Sequence, residues 1–207
     1  MTKIIFTLSF IAILSAGIVL MVLLTQKGSS IVTAPPQSTT TPPEPEEEKN
    51  IPQEAATLDT DYFTLALPSG WEGTSATDTL PIIVADSQEE VINEKAKEID
   101  FRTNLSINRG ELAEKTLKDY IEGLKAGLVS TIPIMEITKE EETIVDDREA
   151  YLLEIESIQQ DLKFSTLVIL VSGKDNTVWA FSFNTLGESW SSYKDIFYQI
   201  VQNIEMK

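Results

Sequence analysis

From Ile4 to Leu24 the chain reads IIFTLSFIAILSAGIVLMVLL, twenty-one residues without a charge. As a helix this run measures about 31 Å, against a bilayer hydrocarbon core of roughly 30 Å, so it is long enough to span. Secretory signals carry a shorter apolar region of about 7 to 15 residues before a small-residue cleavage site. Ser15-Ala16-Gly17 is a weak form of such a site, but Ile18 to Leu24 simply continue the run in Ile, Val, Leu and Met. The expectation is an uncleaved anchor over residues 1–27, with the lipid bilayer as partner through residues 4–24. The alternative is a chain secreted after cleavage. A lipoprotein anchor is excluded, because the sequence contains no cysteine.

Lys3 and Lys27 flank the run on either side, so the positive-inside rule discriminates little. The very short N-terminal tail and the composition that follows set the orientation: a single-pass protein of the cell membrane with its C-terminal part outside the cytoplasm. Residues 28–57 run GSSIVTAPPQSTTTPPEPEEEKNIPQEAAT, rich in Pro, Thr, Ser and Glu. Such a stretch has too few large apolar side chains to fold, and reads as a disordered linker. At about 3.1 Å per residue in an extended proline-biased form it reaches up to roughly 90 Å. Glu44 to Glu48 read as a solvated, self-repelling spacer.

The whole chain of 207 residues carries a net charge of −17 and has neither histidine nor cysteine. That removes Cys and His nucleophiles, the Ser-His-Asp triad, an imidazole base and Cys/His zinc sites. Only carboxylate and carbonyl oxygens remain for a hard cation such as calcium or magnesium. Nucleic acid is excluded as a partner, since sixteen basic residues scattered among thirty-three acidic ones form no phosphate-binding stripe.

Residues 58–207 hold enough chain for one core, with a charge of about −15 once three lysines and five glutamates of the anchor and linker are set aside. In YFTLALPSGW, alternation puts Phe63, Leu65 and Leu67 on one face of a strand, and Pro68 ends it. Gly70 permits a tight turn, and Trp71 is expected to fold back over the core. Further strands are expected at Pro81–Ala85 and Phe101–Asn108, with a short helix or a loop between them. Leu117, Tyr120, Ile121, Leu124, Leu128 and Ile132 recur at helical spacing. Gly123 and Gly127 spell GxxxG inside this helix, but beside Glu122 and Lys125 they suit packing or helix weakening rather than a membrane dimer. Four strands follow, near Met135–Val145, Ala150–Gln159, Leu162–Ser172 and Thr177–Asn184, joined by turn chemistry suited to antiparallel hairpins. The run LVILV, Leu167 to Val171, is apolar on both faces and is expected to be central. Trp190, Tyr193, Phe197, Ile200, Val201 and Ile204 define a C-terminal amphipathic helix with Ser189 as its expected cap. Hairpins with one helix inserted and one at the end make an α+β domain.

The order FTLALPSGW, FRTNLSI, LKDYIEGLK, DDREAYLLE, VWAFSFNT and ESWSSYKDIFYQIVQNI resembles the PsbP-like family, over residues 60 to 206. The resemblance implies an α/β/α sandwich, an antiparallel sheet flanked by helices, and an accessory or assembly role rather than a catalytic one. Family metal proposals built on histidine do not carry over to this chain, and the usual hairpin glycine is replaced by Asp147 or Arg148. A shared fold does not transfer a function.

Two acidic groups could hold a cation. Glu140, Glu141, Glu142, Asp146 and Asp147 form the denser one, yet no DxDxDG-type loop is present, and the favoured reading is a charged sheet edge. Asp86 to Glu90 is a weaker candidate. With GxSxG, SxxK and a phosphate loop all absent, no catalytic, cofactor-binding or metal residue is assigned. The expected function is a tethered, non-catalytic accessory or interaction module with an envelope protein partner; the alternative is a binding domain for a small amphiphile or metabolite.

Overall fold

The computed structural model describes residues 56–73 and 81–207, so the anchor expected at 4–24 and the linker up to residue 55 lie outside the described residues. Among the described residues no helix is long and apolar enough to cross a membrane. The first half holds Thr57–Asp59 (β1), Phe63–Ala66 (β2), Trp71–Gly73 (β3), Ile82–Asp86 (β4), Glu94–Glu98 (α1), Asn104–Glu111 (β5) and Leu117–Thr131 (α2). Then come Met135–Val145 (β6), Arg148–Gln159 (β7), Leu162–Ser172 (β8), Thr177–Leu186 (β9), Trp190–Gln202 (α3) and Ile204–Met206 (β10). Seven strands form an antiparallel sheet in the order β3-β4-β5-β9-β8-β7-β6, and β1-β2-β10 form a smaller antiparallel sheet. This is an α+β architecture.

Strand alternation divides the core in two. Trp179, Phe181 and Phe183 of β9 point to one side, with Phe197, Ile200 and Val201 of α3 and Phe63 and Leu65 of the small sheet. Val178 and Ala180 point to the other, with Leu117, Ile121, Leu124 and Leu128 of α2. Helices therefore cover opposite faces of the large sheet, and small Ala180 lies under a helix as its size suggests. A third cluster gathers Ala96 of α1 with Phe101, Leu162, Phe164 and Leu186. Each large apolar side chain buried in these clusters contributes about 1.5–3 kcal/mol. The LVILV run is buried along its whole length, because β8 has strands on both edges and a helix over each face.

The hairpins follow from turn chemistry. Asp146 and Asp147 have φ of 47° and 59°, and Gln160 and Asp161 have φ of 51° and 62°. Consecutive left-handed residues make the two-residue turn that matches strand twist. Asp tolerates this region better than most residues, and here the Asp146 carboxylate also accepts the Met206 N–H at 2.6 Å.

Some expected boundaries are corrected. β5 starts at Asn104 rather than Phe101, because Phe101 leaves the strand path to stack edge-on against Phe164 at 5.0 Å. β9 continues to Leu186 and β7 begins at Arg148. Ser189 makes no capping hydrogen bond: a 3₁₀ turn over Gly187–Ser189 already runs into α3, leaving Ser189 at φ −91° and ψ −7°, outside cap geometry. Ile204 belongs to β10, not to α3. Strands β1, β3 and β10, three residues each, had no alternation long enough to reveal them. The helix expected from the spacing of Leu117 to Ile132 starts at Leu117, capped by Thr116, whose hydroxyl accepts the Asp119 N–H.

The GxxxG spacing has no packing role at its first position. A Cβ on Gly123 would meet nothing within 4 Å outside its own helix. Gly123→Ala should therefore stabilise α2 by about 0.5–1 kcal/mol by restricting the unfolded chain. Calorimetry should show the melting temperature rise by about 1–4 °C; a fall would mean that something unseen packs against this glycine.

Candidate functional site

An open cleft of about 390 Å³ lies where the end of β4, the segment leading to α1 and the start of α3 meet. Its walls are Ser69, Asp86, Gln88, Glu89, Glu90, Ile92, Ser189, Ser192 and Tyr193. The buried apolar strand Ile82–Ala85 ends at Asp86, the first residue of its line to reach partial exposure, so the acids that follow collect at the rim.

Two of the three carboxylates are fixed by donors of the protein itself. Tyr193 donates its hydroxyl to Asp86 at 2.7 Å, and the Gln88 N–H donates to the other Asp86 oxygen at 2.9 Å. Glu89 accepts from both the backbone N–H and the hydroxyl of Thr103, the latter at 2.9 Å. Glu90 is exposed and enters no ion pair among the described residues. Ile92, at 71% exposure, adds an aliphatic lip. Burial, the hydrogen bond to Asp86 and the nearby Glu89 charge raise the Tyr193 pKa above its usual value, so the phenol serves as a neutral donor. The cleft thus presents negative charge beside one exposed aliphatic side chain, an arrangement complementary to a lysine or arginine with its apolar stem.

The turn Pro68-Ser69-Gly70 stands at the edge of this cleft. Gly70 has φ +83°, and a Cβ there would come within 2.7 Å of the Gln88 side chain. Its carbonyl accepts both the N–H and the hydroxyl of Ser87, each at 2.8 Å. Trp71 itself faces inward, 4% exposed, with its ring edge-on to Phe197 at 6.3 Å. The tryptophan thus packs in the core while Ser69, two residues earlier, lines the cleft.

The denser acidic group lies elsewhere. Glu140, Glu141 and Glu142 sit on β6, an outer strand of the large sheet, and each meets a lysine: Lys125 at 2.9 Å, Lys139 at 2.8 Å and Lys118 at 3.4 Å. Hydrogen bonds to Glu122 and Glu140 raise the Lys125 pKa. With Asp146 turned to Met206, this group forms a charged edge that resists pairing with another sheet. Among the described residues no cluster of three or more acids is placed to hold a metal ion.

A second charged constellation was invisible in the sequence. Glu154 on β7, 7% exposed, accepts the Tyr198 hydroxyl at 2.6 Å and pairs with Lys194 at 3.0 Å, both from α3. Lys139 reaches the same hydroxyl at 3.2 Å. In the sequence Glu154 is one polar letter in an alternating strand; only the placement of α3 over that face shows that it is covered. The cleft residues Ser192 and Tyr193 of α3, with Ser189 just before it, were missed as such for a related reason. They lie at the border of the amphipathic stripe, and their partner segment is about a hundred residues away in the chain.

No protein-family model matches the chain, and no curated protein sequence does. Solved structures do share its fold. The cyanobacterial PsbP protein of Synechocystis is 17% identical, with a TM-score of 0.54 over 79% of this chain and 98% of that one. LpqN of Mycobacterium tuberculosis, a protein involved in cell envelope biogenesis, is 8% identical, with a TM-score of 0.55 over 77% and 87%. A Pseudomonas aeruginosa protein of unknown function, described as a putative regulator, is 13% identical, with a TM-score of 0.52 over 67% and 88%. At these identities the likeness concerns architecture alone: the chain has a PsbP-like α+β fold, with an acidic cleft at one end of its sheet.

Proposed function

We propose that this protein is a non-catalytic accessory module, tethered to the membrane by residues 4–24, that docks a basic segment of an envelope protein partner in the acidic cleft. The observation that carries the reading is the cleft itself: Asp86 and Glu89 are preset by internal donors, and Glu90 and Ile92 are left exposed beside them. Carboxylates already held in place lose little freedom when a cation arrives, and complementary charge raises the encounter rate. The tether is supported by the uncharged run from Ile4 to Leu24. The architecture supports an accessory role only by analogy with PsbP and LpqN. A pocket for a small amphiphile is disfavoured, because such sites are enclosed and mostly apolar, whereas this cleft is open and acidic.

The test is site-specific photo-cross-linking of the full chain in its native cells. A cross-linkable residue at Ile92 is compared with one at Ile144, which is equally exposed at 71%. The expected result is one envelope protein captured from position 92 through a Lys- or Arg-containing segment and not from 144. Glu90→Lys should cut the yield at least about fivefold, since reversing one contact charge costs roughly 1 kcal/mol or more. Equal capture at both positions would refute the docking site, and a cytoplasmic partner would reverse the topology.

A further inference from the structure

The chain has three arginines, and two of them are committed to backbone carbonyls: Arg102 to Ser87 and Glu89, and Arg148 to Lys207. Arg109 differs. Its guanidinium carbon lies 5.3 Å from the centre of the Tyr62 ring and 6.0 Å from that of Trp179. Among the described residues its side chain makes no hydrogen bond and no ion pair, although Arg109 is exposed in a chain dominated by carboxylates.

The platform beneath it is rigid. Tyr62 and Trp179 are in ring contact at 5.1 Å, and Trp179 is only 3% exposed. Tyr62 is 46% exposed, yet its backbone is held at both ends: its N–H donates to the Thr60 hydroxyl at 3.2 Å, and its carbonyl accepts the Lys207 N–H at 2.9 Å. A guanidinium stacked by its face keeps its edge free, and that edge carries the donors that match an oxyanion in a bidentate fork. Arginine held against tyrosine and tryptophan is also the residue combination that concentrates energy at protein interfaces.

We infer that Arg109, seated on Tyr62 and Trp179, is an interaction anchor that takes one carboxylate from an acidic segment of a partner protein, with the half-exposed Tyr62 ring receiving the apolar neighbour of that carboxylate. A carboxylate fits better than a phosphate. One fork matches one monoanion, whereas a nearly dianionic phosphate would need further cations and would meet the field of a domain of charge about −15. That field is screened beyond about 8 Å at physiological salt, which leaves a single contact at Arg109 favourable. The anchor is separate from the cleft: Arg109 stands five residues, about 17 Å, along β5 from Asn104, which pairs with Ala85 beside the cleft's Asp86.

Three arginines allow the Nε–Hε signals of the full chain, in detergent, to be assigned by substitution. The probes are two blocked peptides, Gly-Gly-Tyr-Glu-Leu-Gly-Gly and its Gln counterpart. The Glu peptide should move the Arg109 signal and leave Arg102 and Arg148 in place, and the Gln peptide should bind at least about tenfold more weakly, the worth of a charge-assisted hydrogen bond. Tyr62→Phe should keep the binding, Tyr62→Ala should weaken it severalfold, and Arg109→Lys should lower it about tenfold with an unchanged circular dichroism spectrum. Equal shifts from both peptides, or full binding by Arg109→Lys, would overturn the anchor. Tighter binding of the same peptide with phosphoserine in place of Glu would overturn the choice of carboxylate.

Discussion

Trp71→Ala is expected to remove a large share of the domain's stability. The side chain is 4% exposed and touches Phe197 edge-on at 6.3 Å. Phe197, itself fully buried, is the hub of an aromatic group that includes Phe183 at 5.1 Å, Tyr193 at 5.8 Å and Trp190 at 6.0 Å. Truncating a buried tryptophan to alanine costs about 3–5 kcal/mol, against a total domain stability of about 5–15 kcal/mol. β3 is a short outer strand paired, among the described residues, only with β4, so little backbone structure would hold the gap closed. Urea unfolding followed by circular dichroism should show the midpoint fall by about 1–3 M, with Trp71→Phe losing well under half as much. Because Tyr193 stacks on Phe197 and donates to Asp86, the lesion should also loosen one wall of the cleft. An unchanged midpoint, together with lost cross-linking from position 92, would instead make Trp71 part of the recognition surface.

That result would also probe how far local pattern determines this fold. The stretch FTLALPSGW could be read because three local rules agree in it: Phe63, Leu65 and Leu67 alternate, Pro68 lacks a donor, and Gly70 takes φ +83°. The hairpins from Met135 to Leu186 were legible for the same reason, since their turns set their own register. The short strands were not. β10 exists because α3 delivers Ile204 to a position beside Leu65, and nothing in IEM announces it. The cleft was legible only in part: Asp86 to Glu90 stood out as acids, but the denser group at Glu140 to Glu142 outranked them on charge count alone. Lysines on α2 and β6 neutralise that denser group across the fold. Charge density along a sequence does not report which carboxylates already have partners. Glu154 and Arg109 make the same point from opposite sides, one a strand glutamate taken up by a helix, the other a strand arginine whose side chain has only ring contacts among the described residues.

Glu154 supports the second large prediction, which concerns a charge rather than a void. Its carboxylate lies beneath α3, with a side-chain exposure of 9%, and is held by Tyr198 at 2.6 Å and Lys194 at 3.0 Å. Burial and the Glu154 hydrogen bond raise the Tyr198 pKa, which keeps the phenol protonated as a donor. Lys194→Met removes the cation and leaves a buried carboxylate with a single neutral donor. Breaking a buried pair in this way costs about 3–5 kcal/mol, and the low end applies here because Lys194 is 41% exposed and water can reach the site. Glu154→Leu should cost less, since the freed lysine can turn outward and only the Tyr198 hydroxyl loses its acceptor. Replacing both partners, Lys194→Met with Glu154→Leu, removes the uncompensated charge and extends the apolar face already formed by Leu152. The double variant should therefore recover most of the stability lost by Lys194→Met, although two changes have been made instead of one. Urea midpoints of the four proteins form a double-mutant cycle whose coupling should be about 1–3 kcal/mol. If the double variant were as unstable as the sum of the two single ones, Glu154 would not be a desolvated charge, and α3 would be held to the sheet by apolar packing alone.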